Sequence, residues 1–243
     1  MLFDAAGDEL IVTGSGGRIV FLSLPSGRRL KEWKIPLGKY KYDLNSPVLG
    51  PRGAWLAYAD EDSSKVLDLT AKQPRILADL KDAGSLALSQ DGTELWAVDR
   101  NQLESFDTAS WKETGRWPLK TAAVADCSVA VQAGVGSNGE QTVAVPSSKG
   151  LVIYTYPPMT GDYVTNKPSC AVAYAPASHA YVNLSGDLTI LNATGTVLCT
   201  RSYEGRSAYA MSNDGHWLAL AQSDHVNLWR MEDLLHQCGS SPR

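Results

Sequence analysis

The chain has 243 residues, 44% of them hydrophobic and 20% charged, with a net charge of -4 and a sequence pI near 5.6. That length supports a full core in one all-β domain. The apolar-to-charged balance excludes a disordered chain, and the acidic total excludes a whole-molecule electrostatic grip on nucleic acid. No apolar run approaches the roughly 20 residues that span a bilayer. MLFDAAGDEL lacks the basic and apolar regions of a signal peptide, so a cytoplasmic location is expected.

A repeat begins at the turn Ala6-Gly7-Asp8 and runs through strands ELIVTG (9–14), RIVFLSL (from Arg18) and RRLKEWKI (from Arg28). This first repeat carries the most distinctive charge feature. Arg18 to Tyr42 holds seven basic residues against the single acid Glu32, a net +6, so the remainder of the chain carries -10. Such asymmetry marks a docking patch. Arg28, Arg29, Lys39, Tyr40, Lys41 and Tyr42 are the candidate partner-binding residues. Three readings stay open: surface neutralised by the acidic loop Asp60-Glu61-Asp62, an acidic protein partner, or nucleic acid held by interleaved Lys and Tyr. Nucleic acid is the least favoured.

The second repeat turns at Gly50-Pro51-Arg52-Gly53 and continues as AWLAYA (54–59), KVLDL (from Lys65) and PRILADL (from Pro74). Between its strands, Asp60-Glu61-Asp62-Ser63-Ser64 opens like a calcium loop. Lys65 and Ala71, where Gly and Glu are required, break that pattern. The third repeat turns at Ser89-Gln90-Asp91-Gly92 and gives TELWAV (93–98), QLESFD (102–107) and TGRWPL (from Thr114). The fourth turns at Ser137-Asn138-Gly139 and gives QTVAVP (141–146) and LVIYTY (151–156). Gly134 to Gly139 fits G-x-G-x-x-G, but a strand follows where dinucleotide binding needs a helix, so it reads as a hairpin.

The fifth repeat turns at Ala175-Pro176-Ala177-Ser178 and gives HAYVNL (179–184), DLTILN (187–192) and TVLCTR (from Thr196). The sixth turns at Ser212-Asn213-Asp214-Gly215 and gives HWLALA (216–221) and HVNLWR (225–230). Every turn contains Gly, Pro, Asn or Asp, which take turn dihedrals at low cost. The strand ahead of the turn has small residues in two columns: Val48, Ala87, Ala130, Ala173 and Ala210, and Ser46, Ser85, Ser128, Ala171 and Ala208. By the period-2 rule both columns face one way, which suits strands crowding toward an axis.

The third strands each end in a bulky apolar residue and then a polar one: Leu22-Ser23, Leu67-Asp68, Phe106-Asp107, Tyr154-Thr155, Leu191-Asn192 and Trp229-Arg230, spaced 45, 39, 48, 37 and 38 residues apart. A four-strand unit every 40 residues or so is a propeller blade. The chain resembles the WD-repeat β-propellers, whose third strand ends in Trp-Asp. Leu67-Asp68 and Phe106-Asp107 come nearest to that dipeptide, Trp229-Arg230 keeps only the Trp, and no repeat has the family's Gly-His ahead of its first strand, Gly215-His216 lying in the turn after it. The resemblance covers nearly the whole chain and implies about six four-stranded antiparallel blades in one domain over residues 1–237, with a tail at 238–243. It also implies a non-catalytic scaffold, or a subunit of a larger assembly, that presents the loops of one face to a protein partner.

The alternative is an enzyme or small-ligand binder at the central channel mouth, where the loops carrying Asp60, Asp62, Asp99, Asp224 and His225 would meet. The spacing of these residues makes no catalytic or metal constellation, so no catalytic residue, metal or cofactor is expected. Cys127, Cys170, Cys199 and Cys238 are scattered, which favours neither a disulfide framework nor a zinc site. Closure is the atypical feature. Met1 already lies at the first blade's first strand, so the last blade must take a fourth strand from Leu234 to Cys238, do without, or be completed by another chain. MEDLLHQC also reads as a helix capped by Asp233 and ended by Gly239.

Overall fold

A computed structural model describes residues 2–3, 9–24, 26–35, 45–59, 63–81, 84–99, 101–120, 131–136, 138–157, 159–165, 167, 169, 171–184, 187–202, 209–212, 214–221 and 226–238. They form six antiparallel sheets in two compact units, Met1–Pro118 and Leu119–Arg243. In the first unit, sheet 1 is β1 (Leu2–Phe3), β2 (Glu9–Gly14), β3 (Arg18–Ser23) and β4 (Arg29–Lys34). Sheet 2 is β5 (Asn45–Leu49), β6 (Trp55–Ala59), β7 (Ser63–Asp68) and β8 (Ile76–Lys81). Sheet 3 is β9 (Ser85–Leu88), β10 (Glu94–Asp99), β11 (Gln102–Asp107) and β12 (Glu113–Pro118). In the second unit, sheet 4 is β13 (Gln132–Val135), β14 (Gln141–Ser147), β15 (Gly150–Tyr156) and β16 (Thr160–Tyr163). Sheet 5 is β17 (Ala171–Ala175), β18 (Ala180–Leu184), β19 (Asp187–Asn192) and β20 (Val197–Ser202). Sheet 6 has only β21 (Tyr209–Met211), β22 (Trp217–Ala221) and β23 (Val226–Arg230) among the described residues, and then helix α1 (Met231–Gln237). In each sheet the strands pair in chain order, and the all-β class read from the repeat is the one adopted.

Local chemistry explains the turns. In sheet 3 the Ser89 hydroxyl donates to Asp91 Oδ1 at 2.6 Å and accepts from the Glu94 N–H at 2.9 Å, while Gly92 takes φ 74°. Sheet 6 repeats this with Ser212, Asp214, the Trp217 N–H and Gly215 at φ 72°. A glycine fits there because positive φ costs it nothing. The polar residue that ends the third strand builds the next turn. Asp68 Oδ1 accepts from the Thr70 N–H at 2.9 Å, Asp107 Oδ1 from the Ser110 N–H at 2.7 Å, and Asn192 Oδ1 from the Thr194 and Thr196 N–H groups at 3.1 and 2.8 Å. These are Asx turns, which let a short side chain stand in for a backbone acceptor. Arg230 has only donors on its side chain. At that point the chain enters α1 instead of turning back.

The core lies between neighbouring sheets. Ile11, Ile19, Phe21 and Trp33 of sheet 1 pack on Leu56, Tyr58 and Leu67 of sheet 2. Trp55, Ala57, Val66 and Leu80 of sheet 2 meet Leu86, Leu95 and Phe106 of sheet 3. In the second unit, Ala144, Leu151 and Ile153 of sheet 4 meet Val172, Tyr174 and Tyr181 of sheet 5. The Tyr174 hydroxyl donates to Val135 O at 2.7 Å, and the Tyr181 hydroxyl shares a 2.7 Å bond with Thr142 Oγ1 in the interior. Burial raises the Tyr181 hydroxyl's pKa. Val182, Leu188 and Ile190 of sheet 5 then meet Leu218 and Leu220 of sheet 6, with Met231, Leu234 and Leu235 of α1 completing the cluster.

Three expectations are corrected, the helix cap, the small-residue column and the cysteine pairing, and one further strand is found. The last segment is helix rather than a fourth strand, and its N-cap is Arg230, which leaves Asp233 in the first turn instead of capping it. The small-residue column slips by two in sheet 4, where Gln132 lies across from Ala144 in the place that Ala87 takes across from Trp96. Ala130 is outside the described residues. The slip arises because β14 and β15 are seven residues each and run past the point where other sheets turn. A fourth strand, β16, exists in sheet 4 although no pattern announces it. Cys199 and Cys238 form a disulfide that ties the C-terminal end of α1 to β20. Their separation of 39 residues hides the pairing from any short motif.

Candidate interaction surface

The basic patch is built by the outer half of sheet 1. Arg18 opens β3, and β4 pairs with it across the ladder Arg18↔Lys34, Ile19↔Trp33, Val20↔Glu32 and Phe21↔Lys31. Alternation sends Trp33 into the core and leaves Glu32 and Lys34 exposed. Glu32 draws in two of the cations. Its carboxylate accepts from Arg18 Nε at 3.0 Å and from Arg29 Nη1 at 2.8 Å. The Arg18 hydrogen bond, helped by both guanidinium charges, holds the Glu32 pKa below the usual carboxylate range.

Lys31 is committed to packing. Its Nζ lies 4.2 Å from the Phe21 ring centroid and 4.5 Å from that of Trp33, and donates to Leu69 O at 3.1 Å. Arg28 and Lys34 are exposed and, among the described residues, pair with no carboxylate. The patch therefore offers Arg28, Arg29 and Lys34 along about 20 Å of extended chain. Lys39, Tyr40, Lys41 and Tyr42 lie outside the described residues.

The channel-mouth set cannot be assembled in the same way. Asp60, Asp62, Asp224 and His225 fall outside the described residues. Asp99 ends β10, half-buried, across from Gln102. Among the described residues, no three His, Cys, Asp or Glu side chains gather as a metal site. Sequence reading passes over Glu94, whose carboxyl is pushed up by burial and by the neighbouring Asp91 charge. Its signal is a single acid opening a buried strand, which periodicity does not flag.

Two surface cavities occur in the second unit. One, of about 180 Å³, is lined by Val164, Thr165, Lys167, Asp187, Thr189, Val197 and Thr200, and the Lys167–Asp187 ion pair occupies its polar side. The other, of about 220 Å³, is formed by Asp214, His216, Trp217, Arg230 and Glu232 at one end of sheet 6. There the Arg230 guanidinium lies 5.2 Å from the Trp217 ring centroid and bonds Glu232 at 2.8 Å.

No protein family matches the sequence, and no curated protein is similar to it. Solved structures are similar in fold. A chain of the Mitotic Checkpoint Complex superposes with a TM-score of 0.72 at 15% identity, over 95% of this chain and 73% of that one. Kuenenia stuttgartiensis Hydrazine Synthase gives 0.69 at 14% identity, over 98% and 78%. A functionally unknown protein from Desulfotomaculum acetoxidans DSM 771 gives 0.70 at 14% identity, over 94% and 77%. At such identities the likeness concerns the fold alone, and that fold is all-β and propeller-like.

Proposed function

We propose that this chain is a non-catalytic protein-interaction platform, a scaffold or subunit of a larger assembly, that offers the basic side of sheet 1 to an acidic protein partner. The observation that carries the reading is the exposed row Arg28, Arg29 and Lys34, of which only Arg29 has a carboxylate among the described residues, in a chain whose net charge is -4. Complementary charge chiefly raises the rate and specificity of encounter. The WD-repeat likeness belongs to the same proposal and is supported by the turn-building role of Asp68 and Asp107.

The test is affinity capture from the native host at low and high salt, comparing the parent with a variant carrying Arg28→Glu, Arg29→Glu, Lys39→Glu and Lys41→Glu. The reading expects partners that are lost in the variant and at high salt, with an unchanged melting temperature. Capture that is identical in both proteins contradicts it.

Two further expectations join this proposal. A single domain over 1–237 predicts one unfolding transition, and separate transitions for the two compact units contradict it. The cytoplasmic location must be weighed against Cys199–Cys238, because disulfides persist in oxidising compartments. Thiol titration of protein alkylated on isolation from its host decides: free Cys199 and Cys238 support the cytoplasm, and blocked ones oppose it.

A further inference from the structure

We propose that the cavity of about 180 Å³ between sheets 4 and 5 is a binding site for a small uncharged polyol, up to the size of one monosaccharide ring. It lies in the second unit, shares no residue with the basic patch and does not depend on the platform reading.

The first observation is a buried hydroxyl with no partner. Interior hydroxyls of this protein are otherwise hydrogen-bonded: Ser64 to Gly84 O, Ser89 to Asp91, Ser105 with Thr114, Thr142 with Tyr181, Ser147 to Gly150 O and Ser169 to Asn183. Thr189 on β19 is the exception among the described residues. It is 7% exposed, and its side chain meets no protein donor or acceptor. A buried polar group in that state calls for a partner.

The strand fixes where this hydroxyl points. Leu188 and Ile190, on either side, pack toward sheet 6, and Leu191 packs on sheet 4, so alternation turns Thr189 toward sheet 4 and into the cavity that it lines. Directly across on β20 stands Thr200, which also lines the cavity and is likewise unbonded through its side chain among the described residues. Cβ atoms of such a pair are about 5 Å apart. The two hydroxyls do not bond each other, unlike Ser105 and Thr114 at 2.6 Å. Spaced in this way on one face, they suit a ligand that bridges them.

The second observation is the opposite wall, which is fastened in place by the backbone. The Val164 N–H donates to Leu151 O at 2.9 Å, and Thr165 Oγ1 accepts from the Leu151 N–H at 3.0 Å, so the segment after β16 is held on β15. Gly150 permits that approach. It takes φ 146°, and a Cβ there would lie 2.0 Å from Thr165 O. The segment carries Lys167, whose Nζ donates to Asp187 Oδ2 at 2.5 Å across the cavity's polar side. Asp187 precedes Thr189 by two residues and so shares its face.

The charges of Lys167 and Asp187 cancel, which decides the ligand class. An anion drawn to Lys167 meets the Asp187 carboxylate, and a cation drawn to Asp187 meets the Lys167 ammonium. Hydroxyl groups suit both residues, because they accept from Lys167 Nζ and donate to the Asp187 carboxylate, and they do either with Thr189 and Thr200. Val164 and Val197 supply apolar wall for the C–H groups of the ligand. A cavity of about 150 Å³ takes one benzene ring. This one therefore takes a single pyranose or a shorter polyol.

Folding does not need a hydroxyl at this place in the repeat, since Val152, the counterpart of Thr189 in sheet 4, is apolar and 2% exposed. Thr189→Val thus separates binding from stability. The full chain is titrated with D-glucose, D-galactose, D-mannose, D-ribose and glycerol in turn, by isothermal titration calorimetry and saturation-transfer difference NMR. The proposal expects at least one of these probes to saturate a single site with a Kd of about 1 mM or tighter. Thr189→Val should weaken that binding at least about tenfold while the melting temperature of the free protein stays level or rises, and Lys167→Ala should bring a similar loss of binding. Arg28→Glu with Arg29→Glu leaves it unchanged, so failure here and failure of the basic-patch reading are distinguishable. The proposal is overturned if none of the five probes saturates, if binding is indifferent to Thr189→Val, if Thr189→Val lowers the melting temperature and so marks the hydroxyl as structural, or if glycine or inorganic phosphate binds here more tightly than every polyol.

Discussion

Sheets 5 and 6 are neighbours in one unit, begin with the same hairpin logic and end differently. Sheet 5 finishes β19 with Asn192, whose side chain gathers the N–H groups of Thr194 and Thr196 and returns the chain as β20. Sheet 6 finishes β23 with Arg230, which supplies no such acceptor, and the chain winds into α1. Ile190 is buried against Leu218 and Leu220 of sheet 6, whereas Leu228, in the same place in the repeat, is exposed. The residue that ends the third strand thus goes with a returning strand in sheet 5 and with a helix in sheet 6. Full burial of a side chain such as Leu stabilises by about 2 kcal/mol, which sheet 5 gains and sheet 6 forgoes.

The largest effect that would sharpen this contrast concerns the tie between the two sheets. Replacing Cys199 and Cys238 by Ala should destabilise the second unit by about 4 kcal/mol, the chain-entropy value for a loop of this length. In a chain that unfolds in one transition, the single melting temperature should fall with it in calorimetry. Next, Ile190→Ala should cost about 3 kcal/mol in denaturant unfolding, against at most about 0.5 kcal/mol for Leu228→Ala. Equal losses would break the comparison. Smaller still, Asn192→Ala should cost about 1 kcal/mol through the lost turn bonds, and Arg230→Ala should be near neutral.

Much of this contrast is legible in the sequence, for reasons that differ by element. The second and third strands are visible because β-branched and aromatic runs alternate between turn residues, and their spacing alone sets out six sheets. The apolar–polar pair is also visible, but its purpose is not. Leu67-Asp68 and Phe106-Asp107 only come near a Trp-Asp dipeptide, and only the structure displays each carboxylate closing a turn. The disulfide, the helix cap and the sheet 4 register depend on separations or strand lengths that local pattern does not encode. At the candidate surface, the basic excess is plain in the sequence. Its division into Arg18 and Arg29 held by Glu32, Lys31 held by aromatic rings, and Arg28 with Lys34 unpaired among the described residues requires the β3–β4 register.

The smallest effect is a pH dependence that differs between the two kinds of turn. Hydrogen bonds from Thr70 and Ser110 hold the pKa values of Asp68 and Asp107 below the usual carboxylate range. The sign follows directly: a lowered folded pKa adds stability that is present above pH 3.8 and is lost as pH falls through the folded value. Asn192 carries no titrating group. Acid titration of stability should therefore weaken the turns of sheets 2 and 3 below about pH 4, and Asp68→Asn with Asp107→Asn should flatten that dependence. A pH profile identical in parent and variant contradicts it.

The central claim is that, among the described residues, the outer edge of β23 is unpaired where its counterparts are interior strands. Residue-resolved amide hydrogen exchange on the free protein tests it most directly, by comparing Leu228 and Arg230 with Ile190 and Asn192. The account predicts rapid exchange at the first pair and strong protection at the second. Protection of Leu228 and Arg230 equal to that of Ile190 and Asn192 would contradict it.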